Sequence, residues 1–254
     1  MNVIVLLAVI LLVLMVLIGG KKGLHSFISI FLNFTVVLVA LLFMLDPHVN
    51  LMILTLILCV VISCINLFYI NGVNVKTITA FISTFITYTL LLLLIHMMTK
   101  YTMIQGFGDE EAEELGVFSL YIGIDFLEIG AAVILMSAIG AIIDVAISIT
   151  SSMDEIFNCY PQLSKKELFL SGIEIGRDIL GTDTNTLFFA FFGSYLGLLI
   201  WFQDLSYSFG EIMNSKVFAS EMITIFCSGI GIALVIPITA SINVHFLMRK
   251  AKKS

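Results

Sequence analysis

The chain predicts an all-α protein, a polytopic bundle of about seven membrane-spanning helices, each needing ~20 apolar residues to cross hydrocarbon. Three observations carry that prediction. Of 254 residues, 60% are hydrophobic and 12% charged, where soluble domains run nearer ~45–50% and ~25%. The mean hydropathy is +1.13. Apolar runs of membrane-crossing length recur along the whole chain. Little room is left for a soluble domain, so residues 1–254 read as one transmembrane domain.

The first run lies near 2–18. No basic segment precedes it, no small-residue cleavage pattern ends it, and Gly19-Gly20-Lys21-Lys22 follows directly. It therefore reads as a retained helix and not as a removed signal. Spans near 26–45, 51–70 and 77–98 come next. Asn33, Asn66, Ser83, Thr84 and Thr87 within them read as interhelical hydrogen-bonding groups. An acidic outer segment, 100–126, packs Asp109, Glu110, Glu111, Glu113 and Glu114 into GDEEAEELG. Charge runs of this kind are solvated surface or cation-attracting vestibules. The fifth span lies near 127–149. An amphipathic connector, 164–180, bounded by Pro161 and Gly181, is expected to lie along the cytoplasmic face of the membrane. Spans near 185–202 and 220–246 complete the set, the last long enough for tilt or a break at Pro237.

Charge placement gives the expected direction. Lys21, Lys22, Lys76, Lys165, Lys166, Arg177, Arg249, Lys250, Lys252 and Lys253 all fall on one side, while Lys100 and Lys216 fall on the other. The positive-inside rule then places the N-terminus outside and the C-terminus in the cytoplasm. The net charge of −6 comes with no basic patch outside short loops and the tail, so nucleic acid is not an expected partner. The four cysteines have neither metal-ligand spacing nor a secreted disulfide pattern. HExxH, GxSxG and P-loop signatures are missing, so the chain implies no cofactor, no metal and no enzyme chemistry.

The candidate site lies in spans five and six. Ser137, Gly140, Asp144, Ser148 and Ser151 recur at steps of three or four on one helical stripe, which Gly130 and Ala141 extend. Ile139, Ile142, Val145 and Ile149 occupy the opposite side. Small residues allow close helix approach in a bilayer, so the Asp144 face is expected to meet protein and the Ile/Val face to meet lipid or bulky neighbours. A carboxylate so deep in hydrocarbon is costly and marks either a proton or ion path or a hydrogen-bonded joint between helices. Span six has a matching stripe of Thr186, Ala190, Gly193 and Gly197. Asp183-Thr184-Asn185-Thr186 is expected to open that span as a helix N-terminus, with Asp183, Asn185 and Arg177 near the inner mouth. An intramembrane aspartyl protease would need a second facing acid, and no other span offers a deep partner for Asp144.

Two strings, GAIIDVAISITSSMDEIFN (140–158) and SGIEIGRDILGTDTNTLFFAFFG (171–193), resemble the YibE/F-like family of bacterial membrane proteins. The resemblance extends over most of the chain from about residue 120. That family has a short form and a longer form with an extracytoplasmic region, and the chain is similar to the short, YibF-like form. The resemblance implies a multi-pass protein of the bacterial cytoplasmic membrane. A looser likeness in layout links Gly140-x-x-x-Asp144-x-Ala146-Ile147, the connector and the polar-started span to resistance-nodulation-division permeases and the SecD/SecF pair. There, Gly140 and Asp144 fall where those proteins place a proton-relay acid. The chain departs from them in lacking a periplasmic domain and in carrying Val145 beside the acid. The expectation is one half of a proton-linked permease, paired in the bilayer with a longer YibE-like subunit. A homo-oligomer and a non-transporting scaffold are the alternatives.

Overall fold

The computed structural model describes residues 2–44, 46, 48–102, 126–204 and 206–251. The acidic run Asp109–Glu114 lies outside the described residues. The elements are α1 (Val3–Met44), α2 (Leu51–Cys64) continuing into a π-helical turn (Ile65–Tyr69), α3 (Val75–Thr102), α4 (Phe126–Cys159), α5 (Lys165–Asp204), the short α6 (Phe209–Asn214) and α7 (Lys216–Ala251). Six of these helices are long and apolar enough to cross a membrane. The chain is thus a polytopic, multi-pass helical membrane protein.

Helix α1 contains both of the first two expected spans. They are separated at Gly20, whose φ of 55° and ψ of −130° no helix contains. The chain doubles back there so tightly that a methyl group on Gly23 would strike the Met15 carbonyl. Gly20 supplies the backbone geometry and Gly23 the close approach. The described residues therefore offer six helices of membrane-crossing length, of which α1 is folded into two apolar arms. The first arm of α1 is exposed along most of its length.

The connector expectation is corrected. Residues 164–180 are not a separate helix on the membrane face, because α5 runs without interruption through 40 residues, ~60 Å at 1.5 Å per residue. Its start is a capping box at Ser164 and Glu167: the Glu167 amide donates to Ser164 Oγ at 3.3 Å, and the Ser164 amide donates to Glu167 Oε2 at 2.8 Å. The first turns are packed against α7. A Cβ on Gly172 would sit 2.9 Å from Ala240 Cβ, and one on Gly176 would collide with Ile236. In the polar segment beyond Gly181, which stays helical, Thr182 and Thr186 satisfy their hydroxyls on their own helix, donating to Ile179 O at 2.8 Å and Thr182 O at 2.9 Å. Asp183 is accordingly mid-helix and caps nothing.

Helix α4 is the hub, packing against α2, α3, α5 and α7. Its buried face holds Leu135, Ile142, Val145, Ile149 and Met153. Pro237 sits on an exposed position inside α7, which continues past it to Ala251. Polar pairs fix the remaining register. Asn33 Nδ2 donates to Asn66 Oδ1 at 3.0 Å, joining the second arm of α1 to the π-helical turn. Asn243 Nδ2 reaches the Thr150 carbonyl at 3.4 Å, joining α7 to α4. At the end of the bundle carrying the basic loops, Lys76 Nζ lies 3.2 Å from Asp154 Oδ2.

Candidate functional site

Helices α4 and α5 are antiparallel neighbours joined by residues 160–164. Their pairing brings Asp144 and Asp183 within electrostatic reach of each other. An acid of the neighbouring helix thus lies near Asp144. The continuity of α5 puts Asp183 in mid-helix, 18 residues past Lys165. The two carboxyls make no hydrogen bond to each other, so they are not a proton-sharing dyad of the aspartyl-protease kind. Tyr88 of α3, fully buried and 3.1 Å from Ser63 Oγ, also lies within electrostatic reach of Asp144.

The stripe on α4 forms as its spacing predicts, but it faces away from the core. Ser137, Gly140, Asp144 and Ser148 are all exposed, whereas Ile139, Ile142, Val145 and Ile149 are buried. Bulky branched side chains interlock with α3 and α7, and the small face has no side-chain volume to make equivalent contacts. A Cβ on Gly140 would meet nothing within 4 Å. The α5 stripe behaves in the same way, with Thr186, Ala190, Gly193 and Gly197 exposed and open space around both glycines. The Asp144 face thus does not pack into this chain's own core. Asp144 has no hydrogen-bond or ion-pair partner among the described residues.

Of the other expected site residues, Asn185 and Arg177 are exposed on α5. Arg177 lies six residues from Asp183, ~9 Å along the helix, and pairs with neither acid. Ser137 donates to the Val133 carbonyl at 2.9 Å, so its hydroxyl is engaged on its own helix.

Three polar positions escaped the sequence reading. Glu221 of α7 accepts a hydrogen bond from Tyr195 Oη at 3.1 Å. It is a lone acid inside an apolar run, the same signal that singled out Asp144. Ser228, also on α7, is 1% exposed, and its hydroxyl has no hydrogen-bond partner among the described residues. Glu221, Ser228, Tyr195, Ser194, Thr224 and Ser137 line a groove of about 200 Å³ between α4, α5 and α7. Asp154 is the third: 6% exposed, paired with Lys76 and accepting from Asn158 Nδ2 at 3.4 Å. Its position in α4, ten residues past Asp144, turns it onto the buried side of the helix. At the basic end, a wider cavity of about 590 Å³ is lined by Lys165, Ser241, Val244, His245, Met248 and Arg249. The described residues hold no cluster of His, Cys, Asp and Glu suited to a metal ion.

Fold and site together define a multi-pass membrane protein that presents an acid pair on open, small-residue helix faces. The match of the YibE/F-like protein family model over residues 7–249 makes the particular assignment: the chain belongs to that family. No curated protein and no solved structure matches it.

Proposed function

We propose that this chain is a subunit of a proton-linked permease of the bacterial cytoplasmic membrane, assembled with a longer YibE-like subunit. It is not proposed as an enzyme. The observation that carries this reading is Asp144 itself. It stands exposed on a small-residue face within a membrane-crossing helix, within electrostatic reach of Asp183. A carboxylate near the centre of a membrane helix costs ~2.5–3.5 kcal/mol on insertion scales, so such groups turn to a partner or to water. This chain covers neither Asp144 nor Gly140. A second subunit that lays a helix on the α4/α5 face meets both needs, since small residues admit close backbone approach. A carboxyl that can bind and release a proton beside a second acid is the chemistry a proton-coupled step uses. In this reading Asp144 carries or pairs the proton, Ser137, Gly140 and Ser148 shape its face, and Asp183 completes the acid pair. Asn185 and Arg177 stand along the inner mouth. The N-terminus lies outside and the C-terminus in the cytoplasm.

The test is purification of the tagged chain from its native membrane in mild detergent, followed by proton flux in proteoliposomes. A stoichiometric larger relative with an extracytoplasmic region, and flux abolished by Asp144→Asn in an assembled complex, is the expected result. Wild-type flux in the Asp144→Asn complex refutes the role of the acid. The open Gly140, Gly193 and Gly197 faces equally suit a scaffold that holds a partner without transport. That reading gains if Asp144→Asn disperses the complex while collapse of the proton gradient leaves function intact.

A further inference from the structure

The groove between α4, α5 and α7 carries chemistry that the acid pair alone does not explain. Its polar lining converges from three helices: Ser137 from α4, Ser194 and Tyr195 from α5, and Glu221, Thr224 and Ser228 from α7. The Ser228 hydroxyl is 1% exposed, lines this space and has no protein partner among the described residues. A buried hydroxyl left unpaired is costly, and a water in the groove removes that cost. At a liquid share of ~30 Å³ per water, the groove has room for several. Glu221 brings a carboxylate, positioned by the Tyr195 hydroxyl at 3.1 Å, and no Lys, Arg or His lines the groove. Its ligand class is therefore cationic.

Both walls of the groove lead to the acid pair. Ser137 and Asp144 are seven residues apart on α4, and Ala190 and Asp183 are seven residues apart on α5. Seven residues are two helical turns, so each pair shares a face and is separated by ~10 Å. The two helices are antiparallel, so the descent along one wall matches the descent along the other.

We infer that this groove is a hydrated cation vestibule, with Glu221 as its attracting carboxylate, that admits water and a monovalent cation (hydronium included) from the extracytoplasmic side toward Asp144 and Asp183. Its destination rests on the reading of the acid pair under Proposed function. The vestibule itself does not.

Cysteine accessibility tests it without flux or partner. In a background with Cys59, Cys64, Cys159 and Cys227 replaced, Thr224→Cys, Ser194→Cys and Ser228→Cys are placed in the groove. Phe226→Cys on the exposed apolar side of α7 and Ile232→Cys in the core serve as controls. Membrane-impermeant methanethiosulfonates, one cationic and one anionic, are applied to whole cells and to inverted vesicles. Groove cysteines are expected to react from the cell exterior, faster than both controls. With each rate normalised to that reagent's rate on a free thiol, the cationic reagent should lead by about tenfold, the lower end of what a charged cleft does to local ion concentration. Glu221→Gln should bring that ratio close to one while leaving the position reactive. Reaction no faster than at Phe226→Cys, reaction from the inverted side alone, or a charge preference untouched by Glu221→Gln overturns the inference. A labelled, cation-selective groove in a protein whose Asp144→Asn complex behaves as wild type would sink the permease reading and leave the vestibule standing. An inert groove beside Asp144-dependent flux would do the reverse.

Discussion

Breaking the ion pair between Lys76 and Asp154 is expected to destabilise the protein through the acid and not through the lysine. The pair is asymmetric: at 3.2 Å, the Lys76 side chain is 38% exposed and that of Asp154 is 9% exposed. Removing one partner of a fully buried pair costs ~3–5 kcal/mol, and losing a fully exposed pair costs ~0–1 kcal/mol. Lys76→Met strands a buried carboxylate whose remaining contact is Asn158 Nδ2 at 3.4 Å. The cost worked from these limits is ~1–3 kcal/mol, the range for an unsatisfied buried polar group. Asp154→Asn leaves a lysine that already reaches water, so its cost is smaller, ~1 kcal/mol or less. The double variant Lys76→Met/Asp154→Asn should recover most of the loss, because the amide needs no cation. Thermal unfolding in mild detergent reads the series, at about 2–4 °C per kcal/mol for a chain of this size, so Lys76→Met should lower Tm by roughly 2–12 °C. The reasoning fails if the double variant melts as low as Lys76→Met, or if Lys76→Met melts with the wild type.

Other outcomes follow from packing and capping. Gly176→Ala drives a methyl group into Ile236 at the α5–α7 contact and is expected to cost ~1–3 kcal/mol in Tm measurements on the isolated subunit. Gly140→Ala meets nothing within 4 Å and should stay within ~0.5 kcal/mol of wild type; an equal loss at both positions would mean that α4 and α5 pack otherwise. Under the half-permease reading, Gly140→Ile should abolish co-purification of the partner while leaving the subunit's own Tm unchanged. The Ser164 hydroxyl, and then its backbone amide, hold the Glu167 carboxyl below its ordinary 4.5, and Ser208 does the same for Glu211. A lowered folded value means that this cap contribution is complete above about pH 4.5 and is lost as pH falls through the folded value. Amide exchange at the start of α5, corrected for intrinsic rate, should therefore quicken on acidification in the wild type, whereas Glu167→Gln should show a flat pH response there.

Much of the architecture was legible because hydrocarbon imposes a simple rule on sequence. The apolar helices were readable from their length, and the separation of the first two expected spans from the polar break at Gly19-Gly20-Lys21-Lys22. A helix over 164–180 was legible as well, and the Ser164-x-x-Glu167 cap marks its start, but Gly181 and the Asp183–Thr186 cluster suggested two helices where α5 is one. Isolated peptides with that composition do break helices. Here the threonines satisfy themselves on preceding carbonyls, and Gly172 and Gly176 lock the first turns onto α7, so the local preference loses to tertiary contact.

Sequence by itself determined that this is a membrane bundle, that Asp144 shares a stripe with Ser137, Gly140 and Ser148, and that the opposite stripe is bulky. Those are properties of helical period and of the cost of moving groups between water and hydrocarbon, and both are written residue by residue. Tertiary structure alone decided that Asp183 comes within electrostatic reach of Asp144, that Glu221, Ser228 and Ser137 line one groove, and that the small faces stay open in the single chain. Such pairings depend on how long α5 runs and how it sits against α4 and α7. Helix periodicity sets which residues share a face, but the register between two helices is set by which bulky and which small side chains interlock.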